Sequence, residues 1–298
     1  MAAWIALLCV YFFWGTTYLG IRIVMETMPP VVLVAIRFTL SGLILLAVAA
    51  FRKDYIPSPR GGEFWRTSLY GLGTLAVANT CLAAAEQTVS AGMTSLLITT
   101  NPFWMIAIDA LVPGGERFRP RVIWGMLIGL FGAGLLLMPT GGEHVEPVPI
   151  GGFLILQLGN FGWSLGSIYQ RRQPSRAHPI VSGAIQQLTT GLLFWIPALV
   201  FYRDQIHVTW RSGLAIAYLV TFGSIVGYSA YLYALDKLPV ALVATHTYVN
   251  PLVACGLGYL LLHEPFGWRE TIAMVVIFFG VAVVRHMQKS YKPDTARR

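Results

Sequence analysis

Two tryptophans, Trp14 and Trp163, lie in the middle of apolar stretches and are 149 residues apart, half the length of this 298-residue chain. Tyr18 follows the first tryptophan by four residues and Asn160 precedes the second by three, so each indole shares a helical face with a polar side chain. Such a face can bind a small molecule by ring contact and hydrogen bonding. Packing within a helical bundle is the alternative interpretation of both tryptophans.

Two Asn-Pro pairs recur with the same spacing of 149 residues, Asn101-Pro102 and Asn250-Pro251. Proline has no backbone N–H and kinks a helix, while asparagine can hydrogen-bond to a neighbouring helix. We expect both pairs to form kinks in the middle of apolar helices, with Pro102 and Pro251 as hinges. Direct contact of Asn101 and Asn250 with a ligand is the alternative.

Further polar or aromatic residues within apolar stretches are candidates for lining a site: Asn79, Thr99, Tyr228, Tyr231, Thr245 and His246. Polar groups at membrane depth are costly unless they face protein or a cavity. His246 is the single histidine in the middle of an apolar stretch and can titrate near neutral pH, which would suit proton coupling. A neutral, hydrogen-bonded histidine is the interpretation that we favour.

Arg37 is the one basic residue that lies inside an apolar stretch and not at its end, about two helical turns from the outer side. A buried arginine either extends towards the surface or pairs with an acidic group. The sequence offers Glu86, at the outer end of the third stretch, as the partner, and we predict an ion pair that is structural or acts in gating. Binding of a substrate carboxylate by Arg37 is the alternative.

Hydrophobic residues make up 56% of the chain and charged residues only 11%, which indicates an integral membrane protein. The net charge of +8 comes from short basic loops between apolar stretches, and this favours contact with anionic lipid over binding of nucleic acid. Cys9, Cys81 and Cys255 all lie within apolar stretches, and the six histidines are scattered. Neither a disulfide, a metal site nor a cofactor is therefore expected.

Ten apolar stretches are each long enough to cross a bilayer. They cover residues 4–23, 31–51, 67–85, 91–111, 122–138, 150–169, 180–202, 213–235, 240–262 and 268–284. Because five stretches per half is an odd number, the two halves have opposite orientations. The predicted fold is an all-α integral membrane protein with ten transmembrane helices, arranged as two inverted-topology five-helix repeats around a central cavity. Residues 1–140 form the first repeat, 141–149 a connector, 150–287 the second repeat and 288–298 a basic cytoplasmic tail.

The positions of the basic residues predict the orientation in the membrane. Of the 21 Lys and Arg residues, sixteen fall on one set of loop faces and four on the other, with Arg37 inside a stretch. Because cytoplasmic loops carry the excess of basic residues, both termini are expected to be cytoplasmic. Oppositely oriented repeats allow a transporter to expose one central site to each side of the membrane in turn.

Several short motifs occur in order from Trp4 to about Arg285. They are Phe13-Trp14-Gly15, Ala35-Ile36-Arg37-Phe38, the two Asn-Pro pairs, and the turns Gly115–Phe118 and His263–Phe266. In these motifs the sequence resembles the drug/metabolite transporter superfamily, specifically its ten-helix EamA-type exporters, which include an aromatic amino acid exporter. The resemblance implies a central cavity lined by the first, third, fourth, sixth, eighth and ninth helices. It also implies export of small metabolites across a bacterial inner membrane.

The absence of acidic residues and lysines from the middle of the apolar stretches limits the class of substrate that we expect. No acidic residue lies near the midplane, as a carrier that exchanges cations for protons would need, and no lysine lies within an apolar stretch. A neutral site lined by aromatic and amide groups suits a zwitterionic or uncharged metabolite, and we expect aromatic or large neutral amino acids. Export of drugs, or flipping of a lipid or polyprenyl-linked substrate, is the alternative.

An intramembrane enzyme is disfavoured, and no catalytic residues are predicted. The sequence has no Gly-x-Ser-Gly turn for a serine nucleophile, and Asp109 has no second acidic residue at membrane depth. The expected partners are a small-molecule substrate and the lipid bilayer, with no nucleic acid. We expect the chain to be a monomer.

Overall fold

Helices form most of the chain, as the apolar stretches predict. The computed structural model describes residues 1–51, 59–113, 120–138, 147–173, 177–238, 246–264 and 266–289, and among these there is no strand. The predicted turn at 115–118, Thr245, Pro265, most of the connector and residues 290–298 of the basic tail lie outside the described residues.

The helices follow one another along the chain. They are α1 (Ala2–Met25), α2 (Pro30–Phe51), α3 (Gly62–Ala85), α4 (Ala91–Leu111), α5 (Pro120–Leu135), α6 (Ile150–Arg172), α7 (Pro179–Phe201), α8 (residues 210–237), α9 (His246–Leu262) and α10 (Trp268–Lys289). The third begins five residues before the apolar stretch does, because the helix continues through the polar residues that precede it. The fourth is interrupted at Thr99 and Thr100, directly before Asn101-Pro102.

Within the described ranges, six helical stretches are long and apolar enough to cross a membrane: α1, α2, α3, α4, α7 and Trp210–Tyr231 of α8. Two shorter apolar helices, Ile123–Leu135 and Val249–Leu262, lie within α5 and α9. Large apolar side chains such as Leu8, Phe12 and Leu193 are exposed on the outside of the bundle. A soluble protein would not expose so many apolar residues, so the helical membrane protein predicted from composition is confirmed.

In the part of the chain that the structure describes, two helices contain a π-helical segment that the sequence pattern does not reveal. In α3 the segment is Leu72–Val77, and in α8 it is Leu219–Gly227. A π-helical turn widens the helix and changes which side chains face its neighbours, and such turns are frequent at functional sites. The segment in α8 packs on α1 and α2, whereas that in α3 packs on α6 and α7.

The closest helix pairs depend on glycine. In the contact of α2 with α7, a Cβ at Gly42 would meet Leu188, and a Cβ at Gly191 would meet the backbone of Thr39. The other extensive pairs are α5 with α10, α1 with α9 and α3 with α6. Further contacts join α4 to α6 and α1 to α8. The pairing therefore recurs in the two halves: α1 packs on α8 and α9, and α6 packs on α3 and α4.

Candidate functional site

Four of the predicted residues come together between α1, α8 and α9, in what we call the aromatic cluster: Trp14, Tyr228, Tyr231 and His246. The ring centroid of Trp14 lies 5.0 Å from that of Tyr231 and 5.1 Å from that of His246. Tyr231 and His246 are 5.8 Å apart, and Tyr228 stacks on Tyr231 at 6.5 Å. All four residues are half-buried, so part of each ring can contact a small molecule.

The π-helical segment of α8 fixes the position of Trp14. The indole Nε1 donates a hydrogen bond to the carbonyl oxygen of Gly223 at 3.2 Å. Gly227 lies against the same ring, because a Cβ at this position would be 2.7 Å from Nε1 and 2.8 Å from Cδ1 of Trp14. A residue larger than glycine would therefore displace the indole from the aromatic cluster.

Asn101 and Asn250 make equivalent hydrogen bonds in the two halves. Asn101 Nδ2 donates to the carbonyl oxygen of Asn160 at 3.2 Å. With its amide nitrogen turned towards two acceptors, Asn250 donates to the carbonyl oxygens of Tyr11 at 3.1 Å and His246 at 3.0 Å. Tyr11 and Asn160 are themselves 149 residues apart. Both asparagines are buried and join neighbouring helices, as expected for residues that stabilise a membrane bundle.

A second group of side chains, here called the amide network, lies between α4 and α6. Asn160 Nδ2 donates to Thr100 Oγ1 at 3.0 Å, and Trp104 Nε1 donates to Gln157 Oε1 at 2.9 Å. Thr100 Oγ1 lies 3.2 Å from the same glutamine oxygen. Asn160 is thus held by neighbouring protein groups and does not face the aromatic cluster.

The predicted ion pair between Arg37 and Glu86 does not form. Arg37 Nε donates to Ser224 Oγ at 2.8 Å, and its Nη1 lies 3.4 Å from Asn79 Oδ1. Neither carboxyl oxygen of Glu86 has a hydrogen-bond partner among the described residues. The physical reason is that the π-helical segment of α8 brings Ser224 next to α2, so neutral oxygens hold the guanidinium. No carboxylate of the described residues pairs with it.

The other predicted residues lie away from the aromatic cluster. Tyr18 is buried against α4 and α9, and the Thr99 hydroxyl donates to a carbonyl of its own helix at 2.6 Å. Trp163 is half-buried on α6 and makes none of the ring contacts of the aromatic cluster. Pro102 follows the interruption of α4, whereas α9 continues through Pro251. The hinge function of both prolines stays a prediction.

Several residues of these groups are missing from the sequence prediction. Gln157 precedes Asn160 by three residues on α6, and this helical spacing is a signal that would have found it. Gly223, Ser224 and Gly227 depend on the π-helical segment, for which the sequence gives no signal. Among the described residues no group of His, Cys, Asp or Glu side chains has an arrangement that would hold a metal ion.

Comparison with known proteins identifies the family. Residues 1–138 and 150–285 match the EamA-like transporter family. The chain is 34% identical over 281 residues to the uncharacterized inner membrane transporter YedA of Escherichia coli (strain K12), with 94% of this chain and 89% of that protein covered. It is 24% identical over 289 residues to a probable amino-acid metabolite efflux pump of the same strain, covering 91% and 90%. A crystal structure with 22% identity has the same fold, with a TM-score of 0.68 over 98% of this chain and 99% of that one.

These similarities agree with the bundle of apolar helices and with the family that the sequence motifs resemble. The family match covers nearly the whole chain, and YedA is an inner membrane transporter. The chain belongs to the EamA-like transporter family and is a membrane transporter.

Proposed function

We propose that this transporter exports small zwitterionic or uncharged metabolites, with aromatic and large neutral amino acids as its preferred class. The observation that carries the proposal is the position of the aromatic cluster beside Arg37. Trp14 hydrogen-bonds to Gly223 and Arg37 hydrogen-bonds to the next residue, Ser224. An apolar side chain fits the rings, and a carboxylate fits the guanidinium. The name of the E. coli relative, a probable amino-acid metabolite efflux pump, supports the same class.

The burial of Arg37 supports its role in binding a carboxylate. Its residue exposure is 7%, and its hydrogen bonds go to a hydroxyl and an amide oxygen, neither of which carries a charge. Burying a cation without an anion costs free energy, so an incoming carboxylate gains the interaction that the protein does not provide.

The transport cycle that we propose is alternating access by ten transmembrane helices in two inverted repeats. Three observations support it: the helix contacts that recur in both halves, the equivalent hydrogen bonds of Asn101 and Asn250, and the π-helical segments of α3 and α8. In this arrangement α5, α6, α9 and α10 also cross the membrane. Both termini face the cytoplasm, the membrane is the bacterial inner membrane, and the transporter works as a monomer.

The experiment is counterflow of radiolabelled phenylalanine, tryptophan, leucine and glutamate into proteoliposomes that contain the purified protein. We expect uptake of the first three above that of empty liposomes, and little uptake of glutamate, whose second carboxylate has no partner in the site. No uptake of any amino acid would contradict the proposal. Movement of a fluorescent lipid across the same vesicles would then favour a flippase.

Tryptophan variants locate the binding site. Loss of one ring contact of about 0.5–1.5 kcal/mol weakens binding about 2- to 12-fold, so Trp14→Ala is expected to raise the substrate concentration for half-maximal uptake by at least this factor. Trp163→Ala is expected to lower uptake less, since Trp163 makes none of the ring contacts of the aromatic cluster. Trp65→Ala is the control, because Trp65 is 73% exposed at the start of α3. Unchanged kinetics in Trp14→Ala would remove the aromatic cluster from the site.

A further inference from the structure

Two carboxyl groups from opposite halves of the chain lie close together at the end of the bundle that is predicted to be outermost. Glu86 follows α3 directly, and Glu264 follows α9 by two residues. Glu264 accepts hydrogen bonds from the backbone N–H groups of Ala91 at 2.8 Å and Gly92 at 3.2 Å, at the N-terminus of α4. A carboxylate is favoured there by the free N–H groups and the helix dipole. This contact, which we call the Glu264 latch, joins the second half of the chain to the first.

Glu86 is fully buried beside the latch. Its exposure is 0%, and neither carboxyl oxygen has a hydrogen-bond partner among the described residues. Arg22 of α1 donates to the backbone carbonyl of Glu86 and not to its carboxyl group. An unpaired buried carboxylate is costly, so the arrangement fits a carboxyl group that carries a proton.

The charged and titratable groups around Glu86 point the same way. Burial raises the pKa of the Glu86 carboxyl well above its ordinary value, the Glu264 carboxylate raises it further, and Arg22 opposes the rise. Tyr18 is the other titratable group on α1 that interacts with Glu86. On α2, Arg37 is bound to Ser224 and Asn79, and the charged residues of α6, Arg171 and Arg172, lie at its opposite end.

We propose that Glu86 is a proton-binding site whose proton keeps the Glu264 latch closed. With the proton on a Glu86 carboxyl oxygen, a single negative charge remains, and Glu264 stays on the N-terminus of α4. When the proton passes to water, a second carboxylate forms beside the first and repels it. The hydrogen bond that Arg22 donates then moves from the backbone carbonyl of Glu86 to the new carboxylate. Loss of the latch frees α9 from the start of α4.

The proposal assigns the proton to the edge of the bundle and not to His246, which lies in the aromatic cluster. It rests on the proposed transport cycle, in which this end of the bundle opens and closes. Release of the proton and opening of the predicted outer side are then one event, so transport depends on the pH at that side. The direction follows from the charges: acid closes the latch and alkali opens it.

The first experiment detects the proton itself and needs no substrate. Infrared spectra of the reconstituted protein are recorded as the pH is raised, following the C=O stretching band of protonated carboxyl groups. In the pH range in which exposed carboxyl groups are already ionised, we expect a band that disappears with rising pH, is absent in Glu86→Gln and remains in Glu26→Gln. Glu26 is the matched control, since it lies at the same end, is paired with Arg211 and has 43% of its side chain exposed. A band unchanged in Glu86→Gln would overturn the proposal.

The second experiment measures the latch. Spin labels on cysteines at Gln87 and Leu261, both exposed and on opposite sides of the contact, report the distance between the turn before α4 and the end of α9 in a background without the three native cysteines. We expect the distance to grow as the pH is raised, to stay short at every pH in Glu86→Gln, and to be long at every pH in Glu264→Gln. The same pH-dependent opening in Glu86→Gln, or no opening in the parent, would overturn the proposal.

The two proposals fail separately. If no amino acid is taken up but the infrared band and the label distance respond as expected, the substrate class is wrong and the proton site stands. If amino acids are taken up at the same rate at every outer pH, and Glu86→Gln leaves the infrared band unchanged, transport stands and the proton site is wrong. Because glutamine has the shape of the protonated acid, Glu86→Gln is expected to elute from size exclusion as the parent does.

Discussion

The close approach of Gly227 to Trp14 allows the aromatic cluster to be disturbed without changing any of its rings. In Gly227→Ala the new Cβ would lie 2.7 Å from Nε1 and 2.8 Å from Cδ1 of Trp14. Carbon atoms prefer separations of about 3.5–4.0 Å, so the ring must move by roughly 0.7 Å or more. That displacement weakens the 3.2 Å hydrogen bond to Gly223 and the 5.0 Å contact with Tyr231.

The expected loss in the free energy of unfolding is the sum of three contributions. Insertion of a methyl group into a packed site costs about 1–3 kcal/mol, and the weakened hydrogen bond adds about 0.5–1.5 kcal/mol. Replacing glycine by alanine within a helix returns about 0.5–1 kcal/mol. We therefore expect Gly227→Ala to destabilise the protein by about 0.5–4 kcal/mol. Amino-acid uptake at low substrate concentration should fall about tenfold for each 1.4 kcal/mol that is lost from substrate binding.

A double-mutant cycle separates the contact with Trp14 from other effects of the alanine. Trp14→Ala removes both Nε1 and Cδ1, so most of the cost of Gly227→Ala should disappear in that background. The approach of the new Cβ to the carbonyl oxygen of Phe222, at 2.9 Å, is present in both backgrounds and cancels. We expect a coupling of about 1 kcal/mol or more, measured by thermal unfolding in detergent and by uptake.

Gly134→Ala is the control, because nothing lies within 4 Å of a Cβ at that position of α5. It is expected to leave uptake unchanged and the unfolding temperature equal or slightly raised. Equal costs of Gly227→Ala in the parent and in the Trp14→Ala variant would refute the reasoning. So would normal uptake by Gly227→Ala, since the position of the indole would then not matter to transport.

Two further variants test the packing that holds the site. Asn160→Ala removes the donor to Thr100 within the amide network and is expected to destabilise the protein by about 1–3 kcal/mol, seen as a lower unfolding temperature; an unchanged temperature would show that the network does not support the fold. Gly191→Ala would place a methyl group against the backbone of Thr39, which cannot rotate away as a side chain can. This variant should not give a monodisperse size-exclusion peak. Gly151→Ala is the control and should give one, because no atom lies within 4 Å of a Cβ at that position.

The helices follow from hydropathy because each apolar run must satisfy its own backbone hydrogen bonds within the membrane. The break in α4 depends on a more local cause. Pro102 has no N–H to give, and the hydroxyls of Thr99 and Thr100 donate to carbonyls of the preceding turn at 2.6 and 2.7 Å. Polar spacing therefore predicts where a helix is weak, although Pro251 shows that the same pair of residues can also lie in a continuous helix.

The sequence predicts which types of residue lie in the candidate site, but not which groups they hydrogen-bond to. Trp14, Tyr231 and His246 were found because aromatic and polar groups are rare and costly at membrane depth. The partner of Arg37 was missed because opposite charge favoured Glu86, whereas the π-helical segment of α8 moves Ser224 into reach. A change of helical pitch alters which residues share a face, and apolar periodicity does not record it.

The two halves of the chain use the same contacts for different chemistry. Arg37 lies beside Asn79 on α3, and the residues 149 positions later, Gln186 and Tyr228, also lie close to each other. The two pairs occupy equivalent positions, but only the pair in the first half contains a charged residue, Arg37. A substrate with one carboxylate and one apolar ring has the same asymmetry.

The rings of the aromatic cluster also differ between the two halves of the chain. At the positions equivalent to Tyr231 and His246 the first half has Leu82 and Leu97, so Trp163 has no rings to join. If the halves exchange conformations during transport, the backbone contacts that they share can serve both states, while the rings and the guanidinium stay with α1, α2, α8 and α9 throughout. The substrate should therefore be held by the same side of the site in both states, and Trp14 variants should impair uptake in both directions.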